Sequence, residues 1–182
     1  MTELRTERLL LRPVQETDVD RILEYRNLPA VPRWLLRTVV EPTAFRDAWR
    51  AAGDDPHDHS VAAVLDDVVI GTVSFDLVDG MGQPGMPERT EADLGYIFDP
   101  AYAGRGYATE AVRAVLDHGF DELGVRRVTA SCFADNAASA HILEKVGMRL
   151  EQRGIQDSWH AELGWVDGLT YAMLVSDRRS DD

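Results

Sequence analysis

Leu94-Gly95-Tyr96-Ile97-Phe98-Asp99-Pro100-Ala101-Tyr102-Ala103-Gly104-Arg105-Gly106-Tyr107-Ala108-Thr109-Glu110-Ala111-Val112 is the stretch that decides the fold. It opens as an apolar strand and ends inside a helix with an apolar stripe. Between them Gly104-Arg105-Gly106-Tyr107-Ala108 runs straight into the helix N-terminus. Small residues there let backbone N–H groups approach a phosphate, with the positive end of the helix dipole behind them. Arg105 adds a mobile positive charge. The segment reads as a pyrophosphate cradle.

Two other phosphate-binding patterns are excluded. A dinucleotide fingerprint needs G-x-G-x-x-G in a βαβ unit, followed by an acidic residue after the next strand. Here the spacing is G-x-G-x-A. The next strand does reach Asp135, but no second glycine-rich turn follows. A P-loop needs Gly-Lys-Ser/Thr at its end, and there is none.

A second segment carries the reading further. Asn136-Ala137-Ala138-Ser139-Ala140-His141-Ile142-Leu143-Glu144-Lys145-Val146-Gly147-Met148 follows a strand ending near Phe133. Asn136 suits a helix N-cap, and Gly147 suits the left-handed residue past its end. Ile142, Leu143 and Val146 form the buried stripe. In this order and at this separation, the two segments resemble the GNAT superfamily of acyl-CoA N-acyltransferases. Thr6-Glu7-Arg8-Leu9-Leu10-Leu11-Arg12-Pro13 resembles the first strand of one branch, the ribosomal-protein N-terminal acetyltransferases (RimJ/RimL-like) and their small-molecule relatives.

The resemblance implies one α/β domain over residues 1–176 with a frayed tail at 177–182. Its sheet would be mixed but mostly antiparallel, splayed between the fourth and fifth strands and flanked by helices. It implies acetyl-CoA as co-substrate, no metal, and direct attack of an amine on the thioester. The expected cofactor contacts are Gly104, Arg105, Gly106, Tyr107, Ala108 and Thr109 at the diphosphate, Ile97 and Phe98 at the pantetheine arm through their backbone, and Asn136 and Ser139 on the second helix. An N–H near Ile97 or Phe98 would stabilise the oxyanion, and Gly95 is where a bulge would let the strands part.

Composition sets bounds on the rest. The 182 residues suit a single domain that needs neither disulfide nor metal. No apolar run approaches the length of a membrane span, and the N-terminus is charged, unlike a signal sequence. Cys132, alone of its kind, cannot form an internal disulfide; a reducing cytoplasm fits. A net charge of −13 disfavours nonspecific nucleic-acid binding. The expected partners are therefore acetyl-CoA and an amine acceptor, with no nucleic acid and no membrane; a homodimer stays open.

Periodicity supplies the elements. A strand runs through Leu9 and Leu11, a helix through about Asn27, and a second helix over 42–52 with Phe45, Ala48 and Trp49 on one face. Residues 60–65 and 68–77 read as a hairpin around Asp66-Asp67. Residues 79–89 are a loop, 92–98 the fourth strand, 107–123 a long helix and 126–133 the fifth strand. Strands over 148–155 and 169–175 are joined by 156–167. His57 and His59 with their aspartates read as a solvated loop rather than a metal site.

Four tasks remain for side chains: holding CoA, polarising the carbonyl, deprotonating the amine and reprotonating the thiolate. In much of the superfamily a tyrosine one residue before the Glu144-Lys145 pair gives the thiolate its proton. Here that position is Leu143, which cannot. The ribosomal branch has serine at the position of Ser139, and Ser139 can donate, or serve only in the helix's first turn. Asp93, on the face of Gly95, is the first candidate for the base, with Glu91 just before it and Glu162 in the late aromatic segment as alternatives; a carboxylate would act through a water chain, or the amine binds already neutral. An α-amine of pKa near 8 is neutral about a tenth of the time at pH 7, and a lysine only on the order of once in 2,500. A chain with no obvious base therefore favours an N-terminal α-amine of a protein or peptide, with a small amine (antibiotic, polyamine or amino-acid derivative) as the alternative and a non-catalytic acyl-CoA-binding module as a third reading. Trp34, Trp159 and Glu162 are the expected acceptor contacts; Trp49 packs. Cys132 reads as a buried strand residue.

Overall fold

The computed structural model describes residues 3–36, 38, 40–53 and 55–178. The chain order is β1 (Leu4–Arg5), β2 (Leu10–Pro13), α1 (Val19–Arg26), α2 (Pro42–Gly53), β3 (Val61–Leu65), β4 (Val68–Val78), β5 (Glu91–Phe98), α3 (Tyr107–Asp121), β6 (Arg127–Phe133), α4 (Ala137–Lys145), β7 (Arg149–His160) and β8 (Gly164–Leu174). One sheet runs β1-β2-β3-β4-β5-β6-β8-β7. The short strand β1 precedes the first one expected, so the expected fourth and fifth strands are β5 and β6.

Every neighbouring pair is antiparallel except β5 with β6. These two pair only where Glu91, Ala92 and Asp93 face Arg127, Val128 and Thr129. From Leu94 onward β5 keeps β4 alone as its partner. The splay is therefore present, but Gly95 is not a bulge: β5 runs opposite β4 without a register break, Gly95 against Ser74. A Cβ at Gly95 would come within 2.6 Å of the Ser74 hydroxyl, so close approach accounts for the glycine.

Alternation sends the two faces of the sheet to different helices. Ala92 and Leu94 of β5 and Val128 and Ala130 of β6 pack under α3 and α4, against Val112, Val115, Leu116 and Leu143. Ala62, Val64 and Val69 pack under α1 through Ile22 and Tyr25, with Ile97, Phe45 and Trp49 joining them. Asn136 caps α4 by accepting from the Ser139 amide at 3.2 Å, and Gly147 follows the helix at φ 98°.

One expectation about the late chain is corrected. Residues 156–167 are not a connecting loop: β7 and β8 pair through them, Ser158 against Val166 and Trp159 against Trp165. The hairpin is exposed on most of β7, so it lacks the apolar alternation that marks a strand in sequence. The start of the expected tail makes ion pairs. Asp177 pairs with Arg149, and Arg178 with Asp121 and Asp117. Residues 179–182 lie outside the described part. Among the described residues no helix is long and apolar enough to cross a membrane.

Candidate active site

The glycine loop is built from both ends. Asp99 is buried, accepts from the Ala101 amide at 2.9 Å and pairs with Arg21 of α1. That starts the turn Pro100–Tyr102. Gly104 at φ 74° and Gly106 at φ 82° then use the left-handed region where a side chain is strained. Gly106 caps α3 without a side chain, so the amides of Tyr107, Ala108 and Thr109 have no carbonyl one turn back to bond. They form the anion-receptive end of a fifteen-residue helix. Arg105 is exposed beside them.

Sequence reasoning missed what clamps this loop. The Arg8 guanidinium lies 4.5 Å from the centre of the Tyr107 ring, donates to the Arg105 carbonyl at 2.9 Å and to Glu110 at 2.7 Å. Thr6 donates to the same carboxylate at 2.6 Å. Burial pushes the Glu110 carboxyl up, and the bonds from Thr6 and Arg8 outweigh it and hold it below the ordinary range. In sequence Arg8 shows only as a charged residue beside a strand.

The gap beside β5 is the second part. Asp99 donates its N–H to Ile70 at 2.9 Å, while the carbonyl of Thr90 accepts from Arg126 of the β6 side at 2.7 Å. Antiparallel pairing alternates. Odd residues therefore turn their backbone groups to β4, and Tyr96 and Phe98 turn theirs to the gap. Ile97, facing Thr72, is thus not available to the gap, contrary to expectation. The Phe98 ring packs where Gly71 leaves room; a Cβ at Gly71 would sit 2.4 Å from it.

Ser139 stands at the first turn of α4. Its hydroxyl is 2.8 Å from the Tyr96 hydroxyl, which also reaches the Ser139 carbonyl at 3.1 Å. Burial pushes the Tyr96 phenol up to about 12, against an opposing effect of the bond to Ser139. Burial also raises the Cys132 thiol, and a hydrogen bond with Ser139 partly offsets this. Leu143 is buried in the core, 1% exposed.

A glycine loop that opens onto a helix N-terminus, a sheet opened beside it and a capped helix across the opening agree with the comparison that decides the matter: residues 8–149 match the model of the acetyltransferase (GNAT) domain. The chain is a GNAT acetyltransferase. N-acetyltransferase YnaD of Bacillus subtilis is 31% identical over 149 residues, covering 81% of this chain and 83% of that one. The L-amino acid N-acetyltransferase AaaT of Escherichia coli is 25% identical over 148 residues, covering 80% and 86%. The solved structure of RimL, a ribosomal-protein α-N-acetyltransferase in complex with coenzyme A, shares the fold at a TM-score of 0.79 and 18% identity, covering 95% of this chain and 97% of that one. GNAT acetyltransferases use acetyl-CoA, and this chain is an acyltransferase of that family.

The face of this GNAT sheet away from α3 and α4 carries the remaining candidates. Asp93, where β5 and β6 part, is 2.5 Å from the Thr129 hydroxyl and lies in register with Asp76. Burial, then the charges of Asp58, Asp93 and Asp55, push the Asp76 carboxyl up to about 6. Sequence reasoning passed over Asp76, because only strand pairing sets it against Asp93.

Further along this face Trp34 stands over Phe133 and His160, with ring centroids 6.4 and 5.4 Å away. His160 is 3% exposed. Its Nδ1 accepts from the amides of Glu162 and Leu163 at 3.2 and 3.3 Å, which leaves Nε2 to donate to the Arg33 carbonyl at 2.7 Å. His160 thereby ties the segment holding Trp34 to the β7–β8 turn. Trp159 is not brought here. It pairs with Trp165, ring centroids 5.4 Å apart, and alternation puts both indoles on the face opposite His160. Glu162 is exposed and 3.8 Å from Arg33. Of the three expected acceptor contacts, Trp34 alone joins this wall.

Proposed function

We propose that the chain transfers the acetyl group of acetyl-CoA to an α-amine, in the first place the N-terminal amine of a protein or peptide. The observation that carries this is the placement of Asp93 on the open face, at the point where β5 and β6 part, beside the gap that receives the backbone N–H groups of Tyr96 and Phe98. The diphosphate rests on Gly104, Arg105, Gly106, Tyr107, Ala108 and Thr109. The pantetheine arm lies along the free edge of β5 as an added strand, and an N–H of that edge polarises the thioester carbonyl. The amine enters from the face of Trp34, loses its proton to Asp93 directly or through water, and attacks. Asn136 lies at the arm, and Ser139 returns a proton to the departing thiolate.

Attack needs the amine in its neutral form, and α-amines meet that condition about a tenth of the time at pH 7. The name of AaaT, an L-amino acid enzyme, supports an α-amine. The opening strand and the fold shared with RimL support a protein N-terminus within that class. A free amino acid is the second reading, and the AaaT comparison favours it. Thiol release from acetyl-CoA decides between them with four acceptors: free L-amino acids, short peptides with a free N-terminus, an N-blocked lysine peptide and spermidine. Peptides with a free N-terminus should turn over fastest. Preference for the lysine peptide or spermidine would overturn the α-amine assignment, and preference for free amino acids would move it to the second reading.

A further inference from the structure

Leu143 leaves α4 without the phenol that much of the superfamily places there, yet a phenol does stand at the serine. It comes from the sheet. Tyr96 lies on the part of β5 that β6 has left, and its hydroxyl is 2.8 Å from Ser139 Oγ and 3.1 Å from the Ser139 carbonyl. That carbonyl also belongs to the hydrogen-bonding frame of α4, so the hydroxyl is the less committed acceptor. We infer that Tyr96 is a positioning residue for thiolate reprotonation: its O–H donates to Ser139 Oγ, so that the serine proton is turned away from the tyrosine and toward the departing sulfur.

The proton count follows from the two groups. A serine hydroxyl has one proton and two acceptor sites. With Tyr96 bonded to one acceptor site, the Ser139 proton is free for another partner. When the carbon–sulfur bond of the tetrahedral intermediate breaks, its electron pair leaves on sulfur. The Ser139 proton passes to that sulfur while Ser139 takes one from solvent in the same step, so that no free serine alkoxide forms beside Tyr96. Tyr96 keeps its own proton throughout: a phenol buried this deeply stays protonated at any working pH. The paired hydroxyls on β5 and α4 thus do what one phenol on α4 does elsewhere in the superfamily.

This inference rests on the role given to Ser139 above, and the tests separate the two. Turnover of Tyr96→Phe, Ser139→Ala and the double variant is measured with the best acceptor of the four. Calorimetric acetyl-CoA affinity and melting temperature report binding and folding. Ser139→Ala should lower kcat at least about a hundredfold. Tyr96→Phe should lower it about tenfold, with the acetyl-CoA dissociation constant within about twofold. The double variant should match Ser139→Ala alone, because Tyr96 acts only through the serine. Multiplying losses, or an unaffected Tyr96→Phe beside a damaged Ser139→Ala, would overturn the inference and leave Ser139 as donor. An unaffected Ser139→Ala would remove both.

A second readout needs no turnover. In a Cys132→Ser background the thiol of bound CoA is the one thiol present, and its ionisation is followed by the ultraviolet absorbance of the thiolate. Tyr96→Phe should raise that thiol pKa by about one unit, the loss of a donor oriented to the charged form. An unchanged value would show Tyr96 to be packing only.

Discussion

Arg8 and Glu110 stand 102 positions apart and meet beside the glycine loop, the Arg8 amide donating to Glu110 Oε1 at 2.9 Å and its side chain to Oε2 at 2.7 Å. The same guanidinium covers the Tyr107 ring and holds the Arg105 carbonyl. One side chain from the start of the sheet therefore fixes three residues around the opening of α3. Contacts within the chain thus hold the loop in shape, which reduces the ordering cost of binding.

Arg8→Ala should weaken acetyl-CoA binding about tenfold while leaving kcat within about threefold. The pair is partly exposed, so the loss stays near the lower range for charge-assisted bonds. Titration calorimetry measures it. An unchanged dissociation constant would show that the loop holds its shape without the clamp.

Gly106→Val should abolish measurable acetyl-CoA binding. The residue sits at φ 82°, and a Cβ there would meet the Arg8 guanidinium at 3.4 Å. A β-branched residue is strained in this region by about 1–2 kcal/mol, and its side chain would stand at the turn proposed to hold the diphosphate. Wild-type affinity in a folded variant would place the diphosphate elsewhere.

Asp93→Asn should lower kcat by about a hundredfold, the lower part of the range for a general base, with acetyl-CoA affinity retained. Thr129 keeps its hydrogen bond to the amide, so the fold is conserved. Retained turnover over the whole pH range would assign deprotonation to water or to the amine's own ionisation.

Trp34→Ala should raise the acceptor KM at least about fivefold, since an aromatic contact and its buried area are lost from the wall with Phe133 and His160. Trp159→Ala should leave both substrate affinities unchanged, because its indole faces the other side of the hairpin. Steady-state kinetics on the two variants compares them directly. A larger effect at Trp159 would reverse the placement of the acceptor.

Asp76→Asn should stabilise the protein at pH 7.5 and not at pH 3.5 or so. The folded carboxyl is pushed up to about 6 from the ordinary 3.8, so the native state binds its proton more tightly than the unfolded chain. Stability from this group is full below the unfolded value and falls as pH rises through that window to the folded one. Two units correspond to about 3 kcal/mol. Asp76 is open to water on one side, and screening reduces the expected gain to about 1 kcal/mol. Urea denaturation at the two pH values measures it. Equal gains at both would point to strand propensity rather than charge.

The order of elements, the loop from Gly104 to Thr109 and the cap at Asn136 were legible from residues alone, because each depends on neighbours in the chain. A left-handed glycine, an N-cap three residues before its amide and the apolar stripe of α3 are local patterns. The tertiary structure decided what depends on pairing between distant strands. Alternation across β4 and β5 turned the amides of Tyr96 and Phe98, rather than Ile97, toward the gap. Pairing of β7 with β8 sent Trp159 to one face and His160 to the other. The clamp of Arg8 on Glu110, the facing of Asp76 and Asp93 and the meeting of Tyr96 with Ser139 join residues far apart in sequence. No local pattern marks such pairs, since the free energy that selects them is that of burying the sheet between two helical layers.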